Sequence, residues 1–497
     1  MQITFGTDGW RGIIAKDFTL ENLTKVTRAT ANFLYWPGKK NLKIYKTFSG
    51  NGQSIYRGPE NGVVIGFDTR FMSGIFAKEI AQEMAACGVP VYLSNSYTPS
   101  PALAYAVKEK NAAIGIMVTG SHNPSYYSGI KYKAEYGGTA TPEIVSSIEK
   151  MIYSSEKYFP DKTDNPATIQ EFSPTRPYLK NICDMVDMER IANARFKIIS
   201  DPIYGCAIGI MERIFRQIGS YIEEIRSDGN PNFGGYNPEP VGRNIAPLVE
   251  KVLRSKADIG FAFDGDADTI GLVDSLGSFI QSHEIFALVL WHLVENRKWT
   301  GGVATTFSTS RLTESLTKQY EIPIYETPVG FKHITELMLT NDILIGGEES
   351  GGIGIKNNIP DKNAALVALL VLEAMAYSGK GIDEIIYDLS SRFGTFCFHR
   401  TDIKCETNEE KERIVNYMNA RSPSHFDGTK VTDIFTLDGI KYILEDKSWI
   451  LCRPSGTEPI YRIYVESTSH QKANRILTEC ESMAAGAITK SIVSSVV

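Results

Sequence analysis

From residue 62 onward, short apolar runs alternate with longer stretches in which apolar residues recur at helical spacing. The first round of this pattern predicts strands at 62–68 and 89–95, with a helix at 76–88 between them. A further helix at about 100–110 leads into a strand that ends in the polar turn 119–124. Alternating strands and helices are typical of parallel βα units with helices on both faces of the sheet. The pattern therefore predicts an α/β fold.

The same pattern recurs in two later segments of the chain. The second round predicts strands at 196–205, 221–227 and 257–268 and helices near 211–219 and 245–256. The third predicts strands at 301–310, 322–330 and 342–352, separated by helices at 311–320 and 331–340. Three rounds of one unit indicate three similar α/β domains.

The character of the sequence changes after about residue 393. Segments 439–452 and 459–467 alternate like antiparallel strands, and 471–484 is a predicted helix. This pattern indicates a smaller α+β domain. A chain of 497 residues needs several cores, because one domain holds roughly 100–200 residues. The predicted domains are 1–177, 178–283, 284–392 and 393–497.

Composition narrows the partners. The chain has 52 Lys and Arg against 58 Asp and Glu, which gives a net charge of -6. Nucleic acids and anionic membranes bind basic surfaces, so this charge argues against either as the main partner. Seven scattered cysteines without a C-x-x-C pair fit reduced thiols. The N-terminus lacks a signal-peptide pattern, and the apolar run 364–376 contains Glu373 and is shorter than the ~20 residues of a membrane span. We expect a buried helix there, and a cytoplasmic monomer or dimer.

Three aspartates follow the last strand of the second round. Asp264, Asp266 and Asp268 stand at i, i+2 and i+4, which points their carboxylates the same way on an extended backbone. Carboxylates this close repel unless a hard cation such as Mg²⁺ or Ca²⁺ neutralises them. An EF-hand is excluded, because Thr269 and Ser275 stand where that loop needs Gly and Glu. A solvated acidic turn is the alternative.

A serine follows the last strand of the first round. Ser121 lies in the segment TGSHNP, which lacks the flanking glycines of the G-x-S-x-G nucleophile elbow. By itself it fits a turn or helix-capping residue as well as a nucleophile.

Two other loops carry groups suited to a sugar phosphate. The segment RPSGTEP can wrap a phosphate through a guanidinium, two hydroxyls and a glycine amide, and Arg462 lies close by on the following strand; these groups belong to Arg453, Ser455, Gly456 and Thr457. GGEESGG at 346–352 places Glu348 and Ser350 between glycines, which suits hydrogen bonds to sugar hydroxyls. Arg11 adds a cation on the Gly-rich segment GTDGWRG.

Taken in order, these five stretches resemble those of the α-D-phosphohexomutase superfamily, which includes phosphoglucomutase, phosphomannomutase and phosphoglucosamine mutase. The resemblance spans nearly the whole chain. It implies three similar α/β domains with mixed sheets and a C-terminal α+β domain of TATA-box-binding-protein-like fold, arranged around a central cleft. It also implies an intramolecular phosphotransferase that acts on hexose phosphates.

The resemblance assigns a role to each loop. Ser121 is implied to be the phosphorylated carrier, and Asp264, Asp266 and Asp268 to hold Mg²⁺ with a phosphoserine oxygen. The expected substrate-binding residues are Glu348, Ser350, Lys332, Arg453, Ser455, Gly456, Thr457 and Arg462. Arg11, His122 and Lys131 complete the expected catalytic set. Lys131 is the expected general base, provided that neighbouring positive charge lowers its pKa.

The implied reaction moves the phosphoryl group from Ser121 to a hexose phosphate. A bisphosphorylated intermediate then reorients and returns its other phosphate to the serine. An intermediate that dissociates leaves the enzyme without its phosphoryl group, so hexose 1,6-bisphosphate is expected to activate it.

The chain departs from the family pattern at several positions. Thr269 stands where many members have an arginine near the phosphates, and Glu349 and Gly352 replace the Met and His of phosphomannomutase-type sugar loops. The Glu-Glu-Ser sequence favours glucose, followed by mannose or dual specificity. Glucosamine is less favoured, since those enzymes usually have a GEQS loop and DGDGD. A non-catalytic sugar-phosphate-binding relative and a metal-dependent phosphatase acting through phosphoserine are the rival interpretations.

Overall fold

The computed structural model describes residues 3–6, 8–50, 55–160, 166–421, 423–455 and 460–494. The chain forms two compact units. The first unit comprises Met1–Ala304 and Phe331–Ile386, and the second comprises Thr305–Gly330 and Tyr387–Val497. These units divide the chain differently from the four predicted domains, whose boundaries remain a prediction.

A seven-stranded mixed sheet organises the N-terminal part of the first unit. Its strands are β1 (Gly9–Ile13), β2 (Val63–Phe67), β3 (Val91–Ser94), β4 (Ile114–Val118), β5 (Tyr127–Ala134), β6 (Gly138–Thr139) and β7 (Ile169–Phe172). The helices are α1 (Leu20–Tyr35), α2 (Lys43–Gly50), α3 (Ser73–Ala86), α4 (Ser100–Glu109) and α5 (Pro142–Ile152). The order is β1-β5-β4-β2-β3-β7, with β6 on β5. Strands β2 and β4 are parallel neighbours, so the polar residues that follow them meet at one edge of the sheet.

The second sheet of this unit has five strands in the order β12-β11-β10-β8-β9. Its strands are β8 (Lys197–Asp201), β9 (Tyr221–Glu224), β10 (Ile259–Phe263), β11 (Ile270–Asp274) and β12 (Phe279–Ile280). The accompanying helices are α6 (Thr175–Cys183), α7 (Met188–Ala194), α8 (Ile210–Gln217) and α9 (Ala246–Ser255). Strands β8, β9 and β10 run parallel, and β11 turns back antiparallel to β10. The aspartate loop therefore lies at the carboxyl end of a central, fully buried strand.

The third round also follows its predicted pattern. Its elements are α10 (Ser282–Glu295), β13 (Gly302–Thr306), α11 (Arg311–Gln319), β14 (Ile324–Thr327), α12 (Phe331–Thr340), β15 (Ile343–Gly347), β16 (Ile353–Ile355), α13 (Ala364–Ser378) and α14 (Ile382–Phe393). Strands β15 and β16 form an antiparallel hairpin around the 346–352 loop. Every residue of α13 from Ala364 to Met375 is buried, which confirms the predicted buried helix.

The C-terminal part of the second unit is an antiparallel sheet with two helices. Its elements are β17 (Cys397–Lys404), α15 (Asn408–Asn419), β18 (His425–Phe426), β19 (Thr429–Phe435), β20 (Ile440–Leu444), β21 (Trp449–Pro454), β22 (Ile460–Ser467) and α16 (His470–Ser494). The strand order is β17-β22-β21-β20-β19-β18. Ile414 of α15 and Ile476 of α16 pack with Ile450 and Ile463 in one buried core. This arrangement confirms the predicted α+β character.

Within the described ranges, no single helix has both the length and the hydropathy of a membrane span. Only α13 and α14 taken together, across a bend, meet that length and composition.

Candidate active site

The loop that carries Ser121 is anchored to the end of a neighbouring strand. Asp68, which follows β2, accepts hydrogen bonds from Thr119 Oγ1 at 2.6 Å and from the Gly120 amide at 3.3 Å. Thr119 Oγ1 in turn accepts a hydrogen bond from the Ser121 amide at 2.8 Å. Ser121 has a φ of 51°, a left-handed conformation that costs a non-glycine residue roughly 1–2 kcal/mol. The anchors thus hold the serine in a backbone conformation that it would not adopt freely.

Arg70 is the principal support of this loop. Its buried guanidinium pairs with Asp68 at 3.0 Å. It also donates to four carbonyl oxygens, at distances of 2.6 to 3.0 Å: those of Ser121, Asn123, Pro124 and Tyr127. Sequence reasoning missed Arg70, although an Asp-Thr-Arg run directly after a predicted strand was the available signal. Because these four carbonyl groups all point at the Arg70 guanidinium, the loop wraps around this one cation.

The three aspartates converge as predicted, but through a different backbone conformation. Candidate ligand atoms of Asp264, Asp266 and Asp268 all lie within 4.8 Å of one another. The segment is a turn rather than extended chain, with Ala267 at a φ of 58°. Asp264 Oδ1 accepts hydrogen bonds from the amides of Asp268 at 2.9 Å and Thr269 at 3.0 Å. The prediction of alternating side chains on an extended strand was therefore wrong, since the turn itself brings the carboxylates together.

The cluster is fully buried, and its charges shift one another. Burial and the carboxylates of Asp268 and Asp266 raise the pKa of Asp264 well above its usual value. Burial also raises the pKa of Asp266, but the Lys131 ammonium outweighs it and holds that pKa below the usual range. The pKa of Asp268 is likewise lowered, since Lys131 and Lys362 outweigh burial and the Asp266 carboxylate. The site therefore concentrates negative charge next to a fixed cation.

Ser121 meets this cluster directly. Its Oγ lies 3.2 Å from Asp264 Oδ2 and accepts a hydrogen bond from Lys131 Nζ at 2.9 Å. Lys131, on β5, also pairs with Asp266 Oδ2 at 2.8 Å and with Asp268 Oδ2 at 3.0 Å. The serine hydroxyl, the lysine and the carboxylates thus form one contiguous set of polar atoms.

The environment of Lys131 is the opposite of the one that its expected role requires. Burial alone would lower its pKa, but the surrounding carboxylates of Asp266, Asp268 and Asp8 raise that pKa well above the ordinary value. A lysine held as an ammonium is a proton donor and a cation. The condition for the expected general-base role, a pKa lowered by neighbouring positive charge, is therefore not met by these surroundings.

The carboxylate cluster suits a hard divalent cation. Asp266 Oδ1 is buried and has no hydrogen-bond partner among the described residues. Asp266 Oδ2 accepts a hydrogen bond of 2.5 Å from Ser100 Oγ, at the start of α4, which fixes the orientation of the carboxylate. Three buried carboxylates, one with an oxygen left over, fit the all-oxygen coordination that Mg²⁺ prefers.

Arg11 and His122 flank the serine. Arg11 Nη1 donates to Asn123 Oδ1 at 2.8 Å, and its Nη2 lies 3.6 Å from Asp8 Oδ2. Burial raises the pKa of Asp8, but the cations of Arg11 and Lys131 overcome it and lower that pKa to about 2. His122 is half-buried beside Ser121. Arg11, on β1, is therefore hydrogen-bonded to the loop that carries Ser121.

The sugar-loop candidate Glu348 follows β15 and is joined by backbone contacts to the aspartate loop. Thr269 forms an antiparallel bridge with Gly352, and the Ile270 amide donates to Gly351 O at 3.3 Å. Burial, with the nearby Glu349 and Asp268 carboxylates and against the Lys362 cation, raises the pKa of Glu348 to about 7. Ser350 is exposed, and Lys332 lies half-buried in the first turn of α12.

Lys362 is a site residue that sequence reasoning missed. Its Nζ lies 2.9 Å from Asp268 Oδ1. A Cβ atom on residue 352 would lie 2.2 Å from Lys362 Cδ and would clash with it. Glycine at position 352 therefore avoids a steric clash with the Lys362 side chain. Lys362 therefore places a cation beside the aspartate loop although Thr269 supplies none. No sequence motif marked it, because it approaches the loop from a distant segment.

In the second unit, two of the predicted phosphate-binding residues lie on one pair of neighbouring strands. Arg453 on β21 stands directly opposite Arg462 on β22. Arg453 Nε lies 3.2 Å from Asp438 Oδ2, and Arg462 Nε lies 3.7 Å from Asp402 Oδ2.

The serine of the same loop is also tied to a cation. Ser455 is buried, and its carbonyl accepts a hydrogen bond of 2.9 Å from Lys411 Nζ, a cation that no sequence motif marks. Gly456 and Thr457 lie outside the described residues.

Models of one protein family cover most of the chain. The models of the phosphoglucomutase/phosphomannomutase alpha/beta/alpha domains I, II and III match residues 42–159, 176–277 and 281–393, respectively. The C-terminal domain of the same family matches residues 403–482.

Individual relatives match over nearly their full length. A Thermococcus kodakarensis protein named phosphoglucomutase/phosphomannomutase is 29% identical over 95% of this chain and 96% of its own. A Methanothermobacter thermautotrophicus protein that bears the name phosphoglucosamine mutase is 30% identical over 95% of both chains. The solved structure of a Thermus thermophilus protein, named as a phosphomannomutase, is 28% identical with a TM-score of 0.80 and covers 98% of this chain and 99% of that one.

Proposed function

Because the chain belongs to the α-D-phosphohexomutase superfamily and is therefore an intramolecular phosphotransferase, we propose that it interconverts hexose 1-phosphate and hexose 6-phosphate, with glucose as the preferred hexose. The observation that carries this proposal is the position of Ser121. Its Oγ lies within hydrogen-bonding distance of both Lys131 Nζ, at 2.9 Å, and Asp264 Oδ2, at 3.2 Å. A hydroxyl between a fixed cation and a metal-binding carboxylate is suited to carry a phosphoryl group.

In the proposed reaction, the phosphoryl group on Ser121 passes to the free hydroxyl of the sugar phosphate. The bond from phosphorus to Ser121 Oγ breaks as the bond to the sugar oxygen forms, and the proton of the sugar hydroxyl passes to an oxygen of the transferred phosphoryl group. Negative charge develops on Oγ, to which the Lys131 ammonium already donates a hydrogen bond. Phosphoryl transfer depends mainly on positioning and charge stabilisation, so Lys131 acts as a cation and as a proton source for the departing oxygen.

The carboxylates of Asp264, Asp266 and Asp268, with an oxygen of phosphorylated Ser121, would hold the Mg²⁺ ion. When bound, Mg²⁺ would neutralise the negative charge of the transferring phosphoryl group. Ser100 and the amides of the aspartate turn orient the ligands. Arg11 and His122, beside the serine, would contact the phosphoryl oxygens.

The sugar and the non-reacting phosphate require separate contacts. Glu348, Ser350 and Lys332 would bind the sugar end of the substrate. Arg453, Ser455, Gly456, Thr457 and Arg462 would bind the phosphate that is not transferred, with Lys411 adding charge. A substrate held by its distal phosphate can be presented in either orientation. If hexose 1,6-bisphosphate dissociates, the protein is left without its phosphoryl group until the bisphosphate rebinds. Added hexose 1,6-bisphosphate would therefore act as an activator.

The choice of sugar rests on few contacts, because glucose and mannose differ only at carbon 2. The Glu348-Glu349-Ser350 sequence supports glucose, with mannose or both sugars next. The Methanothermobacter relative favours glucosamine 1-phosphate as a second candidate substrate, against the expectation from the loop sequence. A coupled assay with Mg²⁺ should therefore compare the 1-phosphates of glucose, mannose and glucosamine. A higher kcat/KM with glucosamine 1-phosphate than with glucose 1-phosphate would overturn the proposed preference.

The carrier role is tested by intact-mass spectrometry. Incubation with glucose 1,6-bisphosphate should add one phosphoryl group to the wild-type protein and none to Ser121→Ala. Phosphorylation of the alanine variant would place the carrier elsewhere. Release of inorganic phosphate faster than formation of the isomerised sugar would instead favour a phosphatase.

A further inference from the structure

A cavity of about 800 Å³ lies in the first unit between helices α6 and α8. It is lined by residues of these two helices and by Asp184, which follows α6, and it includes none of the proposed active-site residues. Its volume falls in the range of roughly 300–1,000 Å³ that is typical of small-molecule sites. The cavity is therefore large enough for a metabolite of moderate size.

The charge of this cavity is opposite to that of the whole protein. Four cationic side chains line it, two from each side, against the single carboxylate of Asp184: those of Arg176, Lys180, Arg213 and Arg216. The whole chain carries a net charge of -6. A local excess of cations on an acidic protein would attract an anionic ligand.

Two of the arginines are free to bind such a ligand. Arg176 and Arg213 are exposed, and within the described part of the chain neither side chain has a hydrogen-bond or ion-pair partner. Lys180 and Arg216 pair with carboxylates on or next to their own helices, Asp184 at 2.5 Å and Glu212 at 2.6 Å. Exposed pairs of this kind are weak, so these two cations can turn toward a ligand.

The wall between the cations is apolar. Leu179 and Ile214 are buried, and Cys183 is half-buried between the helices. Burial and the neighbouring Asp184 carboxylate raise the pKa of the Cys183 thiol to about 11, so it stays neutral. The wall thus offers apolar surface to the carbon skeleton of a ligand whose charged group faces the arginines.

We propose that the cavity between α6 and α8 binds a small phosphate monoester at a site separate from the active site. Planar guanidinium groups can each donate two parallel hydrogen bonds to phosphate oxygens, and a dianion uses more of the surrounding positive charge than a single carboxylate does. Arg176 and Arg213 grip the phosphate from the two helices, and the organic group of the ester lies on Leu179 and Ile214. This site does not depend on the identity of the sugar substrate.

Hydrogen–deuterium exchange with phenyl phosphate, a phosphate monoester with an apolar body, tests the proposal. The probe should protect amides in Thr175–Cys183 and Ile210–Gln217 of the wild-type protein. In the double variant Arg176→Ala/Arg213→Ala, the Kd of phenyl phosphate at these helices, measured by titrating the protection, should rise at least about tenfold. Each lost charge-assisted hydrogen bond contributes an appreciable part of such an affinity. Any protection of residues 119–131, which reports the active site, should be unchanged.

Two controls keep the result interpretable. The variant Lys78→Ala/Arg254→Ala removes two positive charges from exposed positions elsewhere. It should bind phenyl phosphate with the same Kd as the wild type. Benzoate, which carries a carboxylate on the same ring, should protect the helices much less. Absence of protection in the wild type, equal protection in the double variant, or equal protection by benzoate would overturn the proposal. The single variants Arg176→Gln and Arg213→Gln give the same test should the double variant not fold.

Discussion

Glu348 provides a quantitative test of the electrostatics of the candidate site. The pKa of its carboxyl group is raised from 4.5 to about 7, mainly by burial, with Glu349 and Asp268 adding to the rise and Lys362 opposing it. The folded protein therefore holds this proton more tightly than the unfolded chain does. Native stability from this group is greatest at low pH and falls as pH rises from about 4.5 to about 7. Above that window the ionised carboxylate destabilises the fold.

The magnitude follows from the shift. A difference of about 2.5 pKa units corresponds to about 3.5 kcal/mol, since one unit is worth about 1.4 kcal/mol. Glu348→Gln removes the ionisation but keeps the size of the side chain. Relative to the wild type, we expect the variant to gain about 2.5 kcal/mol more stability at pH 8 than at pH 5, where only a fraction of the penalty has developed.

The assay measures the free energy of unfolding of the whole protein by urea titration at both pH values. EDTA is present to exclude bound divalent cations. Glu189→Gln, at an exposed position of α7, is the matched control and should show no comparable change between the two pH values. Any hydrogen bond gained or lost by the glutamine is independent of pH and cancels in the comparison. An equal effect of Glu348→Gln at pH 5 and pH 8 would refute the reasoning.

Three further substitutions test the proposed roles. Ser121→Ala should abolish turnover while its far-UV circular dichroism stays that of the wild type, and substantial residual mutase activity would refute the carrier role. Lys131→Met should lower kcat by about 10²–10³ by removing a preorganised cation, and should destabilise the metal-free protein by about 3–5 kcal/mol because Asp266 and Asp268 lose their buried partner. Retention of wild-type kcat would show that Lys131 takes no part in transfer, and steady-state kinetics with urea titration measures both effects. Arg453→Ala should raise KM for the sugar phosphate by about 10- to 100-fold, as loss of a charge-assisted phosphate contact implies, whereas an unchanged KM would exclude this loop as the distal phosphate site.

The local pattern of the sequence determined most of the secondary structure and the position of the loops that form the candidate site. Apolar strands followed at once by polar residues marked Ser121, the aspartate loop and Glu348, because the carboxyl ends of strands are where an α/β sheet exposes polar groups. The antiparallel character of the last domain was also readable, since alternation of side chains is a local property. Arg453 and Arg462 were identified from the same local context.

What the sequence could not determine are the partners of these groups. Lys131 is 135 residues from Asp266, and only the packed fold shows that nearby carboxylates outweigh the Arg11 cation and raise the pKa of Lys131. Ser100, Lys362 and Lys411 were missed for the same reason, since each acts on a loop from another segment. Even the turn that gathers the aspartates depends on backbone amides that bind Asp264. Residue types and their spacing therefore predicted which groups belong to the candidate site, whereas their charge states and orientations are set by long-range contacts that form only when the chain folds.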